Sequence, residues 1–140
     1  MLRCIDSAVQ FPIVFELSFE GRTQVIAAHK RLNEADANRW VFSDYFATAW
    51  LPSDIERAAM PLALDLGGLY EQMLHRLIST PARPQENLAD LVARVELLAA
   101  KQREVDKTAS KLAKQMQFNR KVEINAALRQ LKTELEQLRR

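Results

Sequence analysis

The chain has few of the residues that build covalent or metal-based sites. Cys4 is the only cysteine among 140 residues, so no internal disulfide can form, which fits a reducing cytoplasm. The two histidines, His29 and His75, lie far apart in the sequence, and no spacing typical of a metal site occurs. The three glycines form neither a phosphate-binding loop nor a nucleophile elbow. We therefore predict no catalytic residue, no cofactor and no metal.

Long apolar runs are also missing from the sequence, and its first residues do not predict a leader peptide. No apolar run approaches the roughly 20 residues that span a bilayer. The first residues lack the basic, apolar and small-residue regions of an export signal. We expect a cytoplasmic protein that does not bind membranes.

Charge is distributed unevenly along the chain. The formal net charge is +2, but residues 1–100 hold 9 Lys and Arg against 13 Asp and Glu. Residues 101–140 hold 11 Lys and Arg against 5 Asp and Glu. A basic end can attract phosphate. Charged residues also fill the outward positions of coiled coils, and we favour this second interpretation.

The first half of the chain predicts a small antiparallel sheet. Residues 13–19 place large apolar side chains at every second position, which is typical of a strand with one buried face. A tight turn at residues 20–22 leads into a return strand over residues 23–31. The polar stretch 33–38 predicts a loop. The aromatic-rich stretch 40–50 predicts a third strand.

Two helices and a linker are expected after the sheet. Ser53 and Glu56 have the spacing of a capping box, which predicts a short helix. Asp65 is placed to cap a second helix. That helix, over residues 66–78, has a broad apolar face and is expected to cover the sheet. The proline-containing stretch 79–87 predicts a linker.

The C-terminal third carries two runs of apolar residues at heptad spacing. Steps of three and four residues place these side chains on one stripe of a helix, and such a stripe must be buried against another helix. Much of the chain is therefore devoted to helix–helix contact, which favours an interaction role over chemistry. The predicted interaction seam consists of Leu98, Val105, Leu112, Met116, Ile124, Leu128, Leu131 and Leu135.

The two heptad runs are out of phase, and two interpretations fit. In the first, the chain turns near residues 117–119 and folds back as an antiparallel hairpin, with Asn119 as the cap of the second helix. In the second, one helix continues through a stutter. We favour the hairpin. A first arm roughly 45 Å long would exceed the second arm, which predicts a further partner, either the sheet domain or a second copy of the chain.

Together these elements predict an α+β fold. A small antiparallel β-sheet of about three strands is covered by a helix and followed by a C-terminal α-helical coiled-coil hairpin. We divide the chain into an α+β domain over residues 1–80 and a helical hairpin over residues 87–140.

Residues 101–121 are rich in lysine and arginine. Lys107, Lys111 and Lys114 fall at steps of four and three residues, so they form one ridge that can follow a phosphate backbone without reading sequence. The ridge lacks interleaved glycine or aromatic residues, so charge alone carries this prediction. The candidate phosphate contacts are Lys107, Lys111, Lys114, Arg120 and Lys121.

An enzymatic interpretation depends on charged residues of the predicted strands. Glu16, Lys30 and Asp44 could converge as in the core of a metal-dependent nuclease. We favour a simpler interpretation, in which Glu16 and Lys30 face solvent and pair across strands. The alternation of the third strand predicts that Asp44 is buried and hydrogen-bonded.

Several stretches of the sequence, taken in order, carry a resemblance. They are Ile5-Asp6 followed by FPIVFEL (11–17), AAHKRLN (27–33), YFATAWL (45–51), PLALDLGGLYEQMLHRLI (61–78) and QFNRKVEINAALRQLKTEL (117–135). They resemble a bacterial domain-of-unknown-function family, number 4391. The resemblance implies an α+β body with a helical tail. It also implies that the chain corresponds to the C-terminal part of the family domain, because members usually carry a further segment before the Ile5-Asp6 region.

The same resemblance gives a context but no catalytic residue, because the family has no settled activity. Its members are often encoded beside helicases and DNA-modification enzymes, which implies restriction or phage defence. The function predicted first is a protein-interaction or oligomerisation module that acts through the seam, as a dimer or with a helical protein partner. The alternatives are non-specific nucleic-acid binding through the basic ridge, and a fragment of a nuclease-like enzyme.

Overall fold

The computed structural model describes residues 1–36 and 39–139. The chain divides into two compact units, Met1–Val92 and Ala93–Arg140. Within the described ranges, the first unit contains a four-stranded antiparallel sheet with helices, and the second is a helical hairpin. The α+β fold class is therefore confirmed. The predicted loop at 33–38 includes residues 37 and 38, which lie outside the described residues.

The sheet follows the predicted meander. Helix α1 (Leu2–Ala8) precedes three strands, β1 (Val14–Phe19), β2 (Arg22–Leu32) and β3 (Trp40–Ala47), which pair in the order β1-β2-β3. β1 and β2 are joined by a two-residue turn, because Phe19 pairs with Arg22. Both turn residues have positive φ, as a type I′ hairpin turn requires.

The end of the third strand differs from the prediction. β3 stops at Ala47, and a short strand β4 (Leu51–Pro52) pairs with the start of β2. Thr48 causes the break, because its hydroxyl accepts a hydrogen bond from Val25 N at 3.1 Å while its own N–H donates to Val25 O at 3.0 Å. The chain thereby leaves the β3 ladder and rejoins the sheet further along.

Helix α2 (Leu66–Leu77) covers the sheet as predicted. The Asp65 carboxylate accepts a hydrogen bond from Gly68 N at 2.7 Å, which caps the first turn. Leu74 is fully buried, and Ile78, just after the helix, is also buried. The helix lies against β2 and β3, so its apolar face closes the core of the first unit.

The short helix predicted from the capping box at residues 53–60 is wrong. This segment makes a turn and then runs without regular structure. Its backbone is held by other elements instead: Ser53 N donates to Gly21 O at 2.9 Å, and the Arg76 guanidinium donates to Ala59 O at 2.9 Å. The Arg57 guanidinium forms an ion pair with the Glu16 carboxylate on β1 at a distance of 2.5 Å. These contacts replace the local hydrogen bonds of a helix.

The second unit confirms the hairpin and excludes the continuous helix. Helix α3 (Leu88–Lys114) is capped by Asn87, whose side-chain oxygen accepts from Asp90 N at 2.9 Å. Helix α4 (Phe118–Arg139) follows after residues 115–117. The predicted cap is corrected, because α4 begins before Asn119, which therefore lies in the first helical turn.

The interior of the hairpin consists of predicted seam residues. Val105, Leu128 and Leu135 are buried in one cluster, and the partly buried residues Leu98, Leu112 and Leu131 pack against it. Ile124 is half-buried. The expected burial of Met116 is wrong: its side chain is 91% exposed, because α3 ends at Lys114 and the apolar stripe ends with it.

We expect Leu128→Ala to lower the free energy of unfolding of the hairpin by about 2–5 kcal/mol, because it leaves a cavity in the buried cluster. Met116→Ala removes an exposed side chain, so it should change the free energy of unfolding by less than about 0.5 kcal/mol. Urea unfolding followed by the helical circular dichroism signal measures both. An equal loss in the two variants would contradict the placement of the cluster.

Candidate functional site

Five of the 11 basic residues in 101–140 lie toward the end of the hairpin where the chain turns. Lys107, Lys111 and Lys114 are exposed on α3, and Arg120 and Lys121 are exposed on α4. The short connection between the helices places the end of α3 beside the start of α4. No Asp or Glu occurs anywhere from residue 107 to residue 122. We call residues 107–122 the cationic tip.

The acidic residues of the hairpin lie outside residues 107–122, and three of them, Glu104, Glu134 and Glu136, pair with other cations. Lys101 Nζ lies 2.8 Å from the Glu134 carboxylate and 3.6 Å from Glu104. The hydrogen bond from Lys101 lowers the pKa of Glu134, and the same bond raises the pKa of Lys101. Arg139 lies 3.7 Å from Glu136.

The five cations of the cationic tip have no such partners. Within the described part of the chain none of them forms an ion pair. The first turn of α4 also carries no acidic residue, so the positive end of its helix dipole adds to the field there. No carboxylate among the described residues is in ion-pair contact with these five cations, although Asp106 and Glu123 flank the cationic tip, so an anion can bind there without displacing a protein carboxylate.

Exposed apolar residues of the cationic tip include Met116, which the sequence placed in the seam, and Phe118 and Val122, which sequence reasoning missed. Met116 is 91% exposed and Phe118 is 77% exposed, with Val122 also exposed one helical turn further on. The turn between the helices is held by Gln115, whose side-chain oxygen accepts from the N–H groups of Met116 (2.9 Å) and Gln117 (3.2 Å). The signal available in the sequence is an aromatic residue between basic residues and outside both heptad runs.

The three residues of the enzymatic interpretation do not converge. Glu16 pairs with Val25 and Lys30 with Phe42, and directly paired residues share a face of the sheet. Val25 and Lys30 are an odd number of positions apart on β2, so Glu16 and Lys30 lie on opposite faces. Asp44 is exposed. The described part of the chain thus gives no support to a nuclease-like site built from these residues.

The predicted burial of Asp44 is wrong because β3 contains a bulge. The register shifts between the pairs Ala28–Tyr45 and Lys30–Phe42, so two residues of β3 oppose His29 alone. The extra residue reverses the alternation from that point. Ser43 takes the buried position, and its hydroxyl accepts from His29 N at 2.8 Å.

Lys30 is buried, and the prediction that it faces solvent is wrong. Its side chain is 5% exposed. Its ammonium group donates hydrogen bonds to the backbone carbonyls of Asp6 (2.6 Å), Val9 and Phe11 (3.2 Å). It also lies 5.1 Å from the ring centre of Trp40. All three donors of the ammonium are used, so Lys30 fastens the N-terminal segment to the sheet.

Two tyrosines complete this buried polar cluster. The Tyr45 hydroxyl donates to the Asp6 carboxylate at 2.5 Å, and the Tyr70 hydroxyl donates to Ala28 O. Burial raises the pKa of Tyr45 to about 12, and the hydrogen bond to Asp6 acts in the same direction. Burial also raises the pKa of Tyr70 to about 12, with the charge of Asp6 adding to it. Both hydroxyls therefore stay protonated donors at neutral pH, as a structural cluster requires.

The described residues contain neither a metal-binding group nor a membrane-spanning helix. No group of three or more His, Cys, Asp and Glu side chains in that part of the chain is arranged to hold a metal ion. No helix there combines the length and the apolar character needed to cross a membrane.

The tyrosine pKa values predict a late alkaline transition. Tyr45 and Tyr70 are the only tyrosines in the chain, so the ultraviolet absorbance of tyrosinate reports this cluster alone. We expect ionisation near pH 12 in the folded protein and near pH 10 after unfolding. Because the pKa of each tyrosine is raised in the folded state, the two hydroxyls contribute fully to the free energy of unfolding below pH 10. This contribution is lost as the pH rises toward 12.

Tyr45→Phe provides the control, since a single transition should then remain at the position of Tyr70. Ionisation of both tyrosines near pH 10 in the folded protein would contradict the buried cluster.

Comparison with known proteins identifies the family of the chain. No curated protein and no solved structure matches it significantly. The family described as "Domain of unknown function (DUF4391)" matches residues 1–135, which include the sheet, the cluster around Lys30 and nearly the whole hairpin. The resemblance carried by the sequence motifs is thereby confirmed. The chain belongs to the domain-of-unknown-function family DUF4391.

Proposed function

We propose that this protein binds the phosphate backbone of nucleic acid through the cationic tip. The observation that carries the proposal is the charge of residues 107–122, which include five exposed cations and no acidic residue. Phosphate contacts of this kind supply affinity by releasing condensed counterions, and they need no sequence-specific geometry.

The arrangement of the lysines suits an extended polyanion. Lys107 and Lys114 are seven positions apart on α3, which corresponds to about 10 Å along the helix axis. Lys111 lies between them on the same side. Arg120 and Lys121 continue the positive surface on α4. A strand that lies along this ridge contacts several cations at once, whereas a single small anion contacts only one or two.

The packing of the predicted interaction seam also supports binding through the outer surface. Val105, Leu128 and Leu135 are buried inside the hairpin of a single chain. A partner helix that used this seam would have to separate α3 from α4 first. The cations of the tip are exposed in the closed hairpin, so they can bind without any opening.

The family context favours the same proposal. The resemblance to family 4391 implies genes encoded beside helicases and DNA-modification enzymes, and therefore restriction or phage defence. A protein without a recognised catalytic motif would serve there as an accessory that holds nucleic acid for a partner enzyme.

A second candidate function is protein association, which a separate surface of the first unit favours. Leu62 is 95% exposed, and Leu64 and Leu66 are also largely exposed. These side chains alternate along one ordered stretch, where the Gln72 amide donates to Leu62 O at 2.8 Å. Exposed apolar patches of this kind mark protein interfaces, so we keep self-association as a dimer, or a protein partner, as a proposal.

The triple variant Lys107→Glu, Lys111→Glu and Lys114→Glu tests the first proposal. We expect binding to a DNA fragment to be lost at moderate salt, because attraction is replaced by repulsion. In the wild type, the logarithm of the association constant should fall with the logarithm of the salt concentration. The slope should reach about −4.5 on duplex DNA, or about −3.5 on a single strand, if all five cations contact phosphate. Fluorescence anisotropy of a labelled DNA fragment at several salt concentrations measures both the affinity and its salt dependence.

A matched triple variant separates position from net charge. Arg103→Glu, Arg129→Glu and Lys132→Glu change the net charge equally but lie on the hairpin outside the cationic tip. We expect this control to keep most of the affinity. Equal loss in both triple variants would show that only the total charge matters, and it would contradict a site at the tip.

Protein association is tested by the mass in solution. If the exposed leucines bind a second copy, light scattering should give a dimer at both low and high salt, because apolar contacts resist screening. Leu62→Ser combined with Leu64→Ser should then give a monomer. A wild-type monomer at all concentrations tested would contradict self-association.

A further inference from the structure

We propose that Phe118 stacks on an unpaired base, so that the cationic tip prefers single-stranded to double-stranded nucleic acid. This inference rests on the proposed function of the tip and specifies its ligand. Its basis is the position of one exposed aromatic ring among cations that have no protein partner.

The exposure of Phe118 follows from how the hairpin is built. Phe118 is the first residue of α4, and it falls outside the apolar stripe that α3 and α4 bury between them. Gln115 fixes the turn by accepting two backbone N–H groups. The ring is therefore carried by an ordered turn and the start of a helix, while most of its surface faces solvent.

Basic residues that can bind the phosphates of a nucleotide lie close to Phe118 in the sequence. Lys114 precedes Phe118 by four residues, and Arg120 and Lys121 follow it within one helical turn. A strand can place its phosphates on these cations while one base lies on the ring. Stacking of a base on an aromatic side chain contributes about 1–3 kcal/mol and tolerates any sequence. In a duplex the base faces are covered by neighbouring base pairs, so the ring gains nothing there.

An anionic membrane is the other surface that exposed apolar and basic residues can fit. The geometry of the ridge favours a strand. Lys107 lies about 10 Å along the helix from Lys114, which exceeds the screening length of about 8 Å at physiological salt. A flat surface that met the end of the hairpin would leave Lys107 without an anion. A flexible strand that runs along α3 contacts Lys107 and Phe118 together.

The experiment measures the affinity of the full chain for an oligo-dT strand and for a duplex of the same length. Four substitutions are compared with the wild type: Phe118→Ala, Phe118→Leu, Phe118→Tyr and, as a control on the same hairpin, Leu97→Ala. Leu97 is partly exposed and lies outside the cationic tip. Circular dichroism establishes that each variant keeps its helices, which the exposure of Phe118 leads us to expect.

The expected result is a selective loss for the single strand. Phe118→Ala should weaken oligo-dT binding about 5- to 150-fold, the equivalent of 1–3 kcal/mol, and should leave duplex binding within about twofold. Phe118→Tyr should retain the affinity because it keeps the aromatic face. Phe118→Leu should lose it, because an aliphatic side chain has no such face. Leu97→Ala should behave as the wild type.

Three results would overturn the inference, and they are distinguishable. If the lysine triple variant loses both ligands while Phe118→Ala changes neither, the proposed function stands and stacking does not occur. If the wild type binds neither ligand, the proposed function fails as well. If Phe118→Ala instead abolishes binding to phosphatidylserine vesicles and leaves oligo-dT binding intact, the cationic tip is a membrane surface.

Discussion

The apolar contact between α3 and α4 determines where the charges of the hairpin lie. Val105, Leu128 and Leu135 are buried together, and each such side chain contributes about 1.5–3 kcal/mol when it leaves water. This burial fixes which side of each helix faces inward. Lys107 and Lys114 must then face outward, at the end where the chain turns. The proposed binding surface is therefore a consequence of packing, and it exists only while the hairpin is closed.

The sheet of the first unit depends on a different kind of contact, a buried cation satisfied by backbone carbonyls. Lys30 connects residues of the N-terminal segment to β2, while Tyr45 holds the carboxylate of Asp6. A buried ammonium is costly unless every donor is paired, and here each donor is used. Lys30, one of the charged residues that first suggested chemistry on the sheet, therefore stabilises the fold.

The sequence predicts the features of this chain that repeat along it. Alternating residues indicated the strands, and the heptad spacing indicated the hairpin, because burial of one face imposes those periods. Irregularities that occur only once were not predicted from the sequence. They are the bulge opposite His29, which reversed the alternation at Asp44, and the hydrogen bonds of Thr48, which end β3. The burial of Lys30 was not predicted either. Its partners are backbone carbonyls, which every residue carries, so the sequence contains no pattern that marks them. Phe118 was missed because it belongs to neither heptad run.

Chemical labelling of lysines, with and without oligo-dT, tests the central claim most directly. The chain has seven lysines, and mass spectrometry can follow the acetylation of each. Lys30 is buried and should stay unreactive throughout. The account predicts that the strand protects the lysines of the cationic tip and leaves Lys101 and Lys132 as reactive as before. Uniform protection of all exposed lysines, or none at the cationic tip, would contradict it.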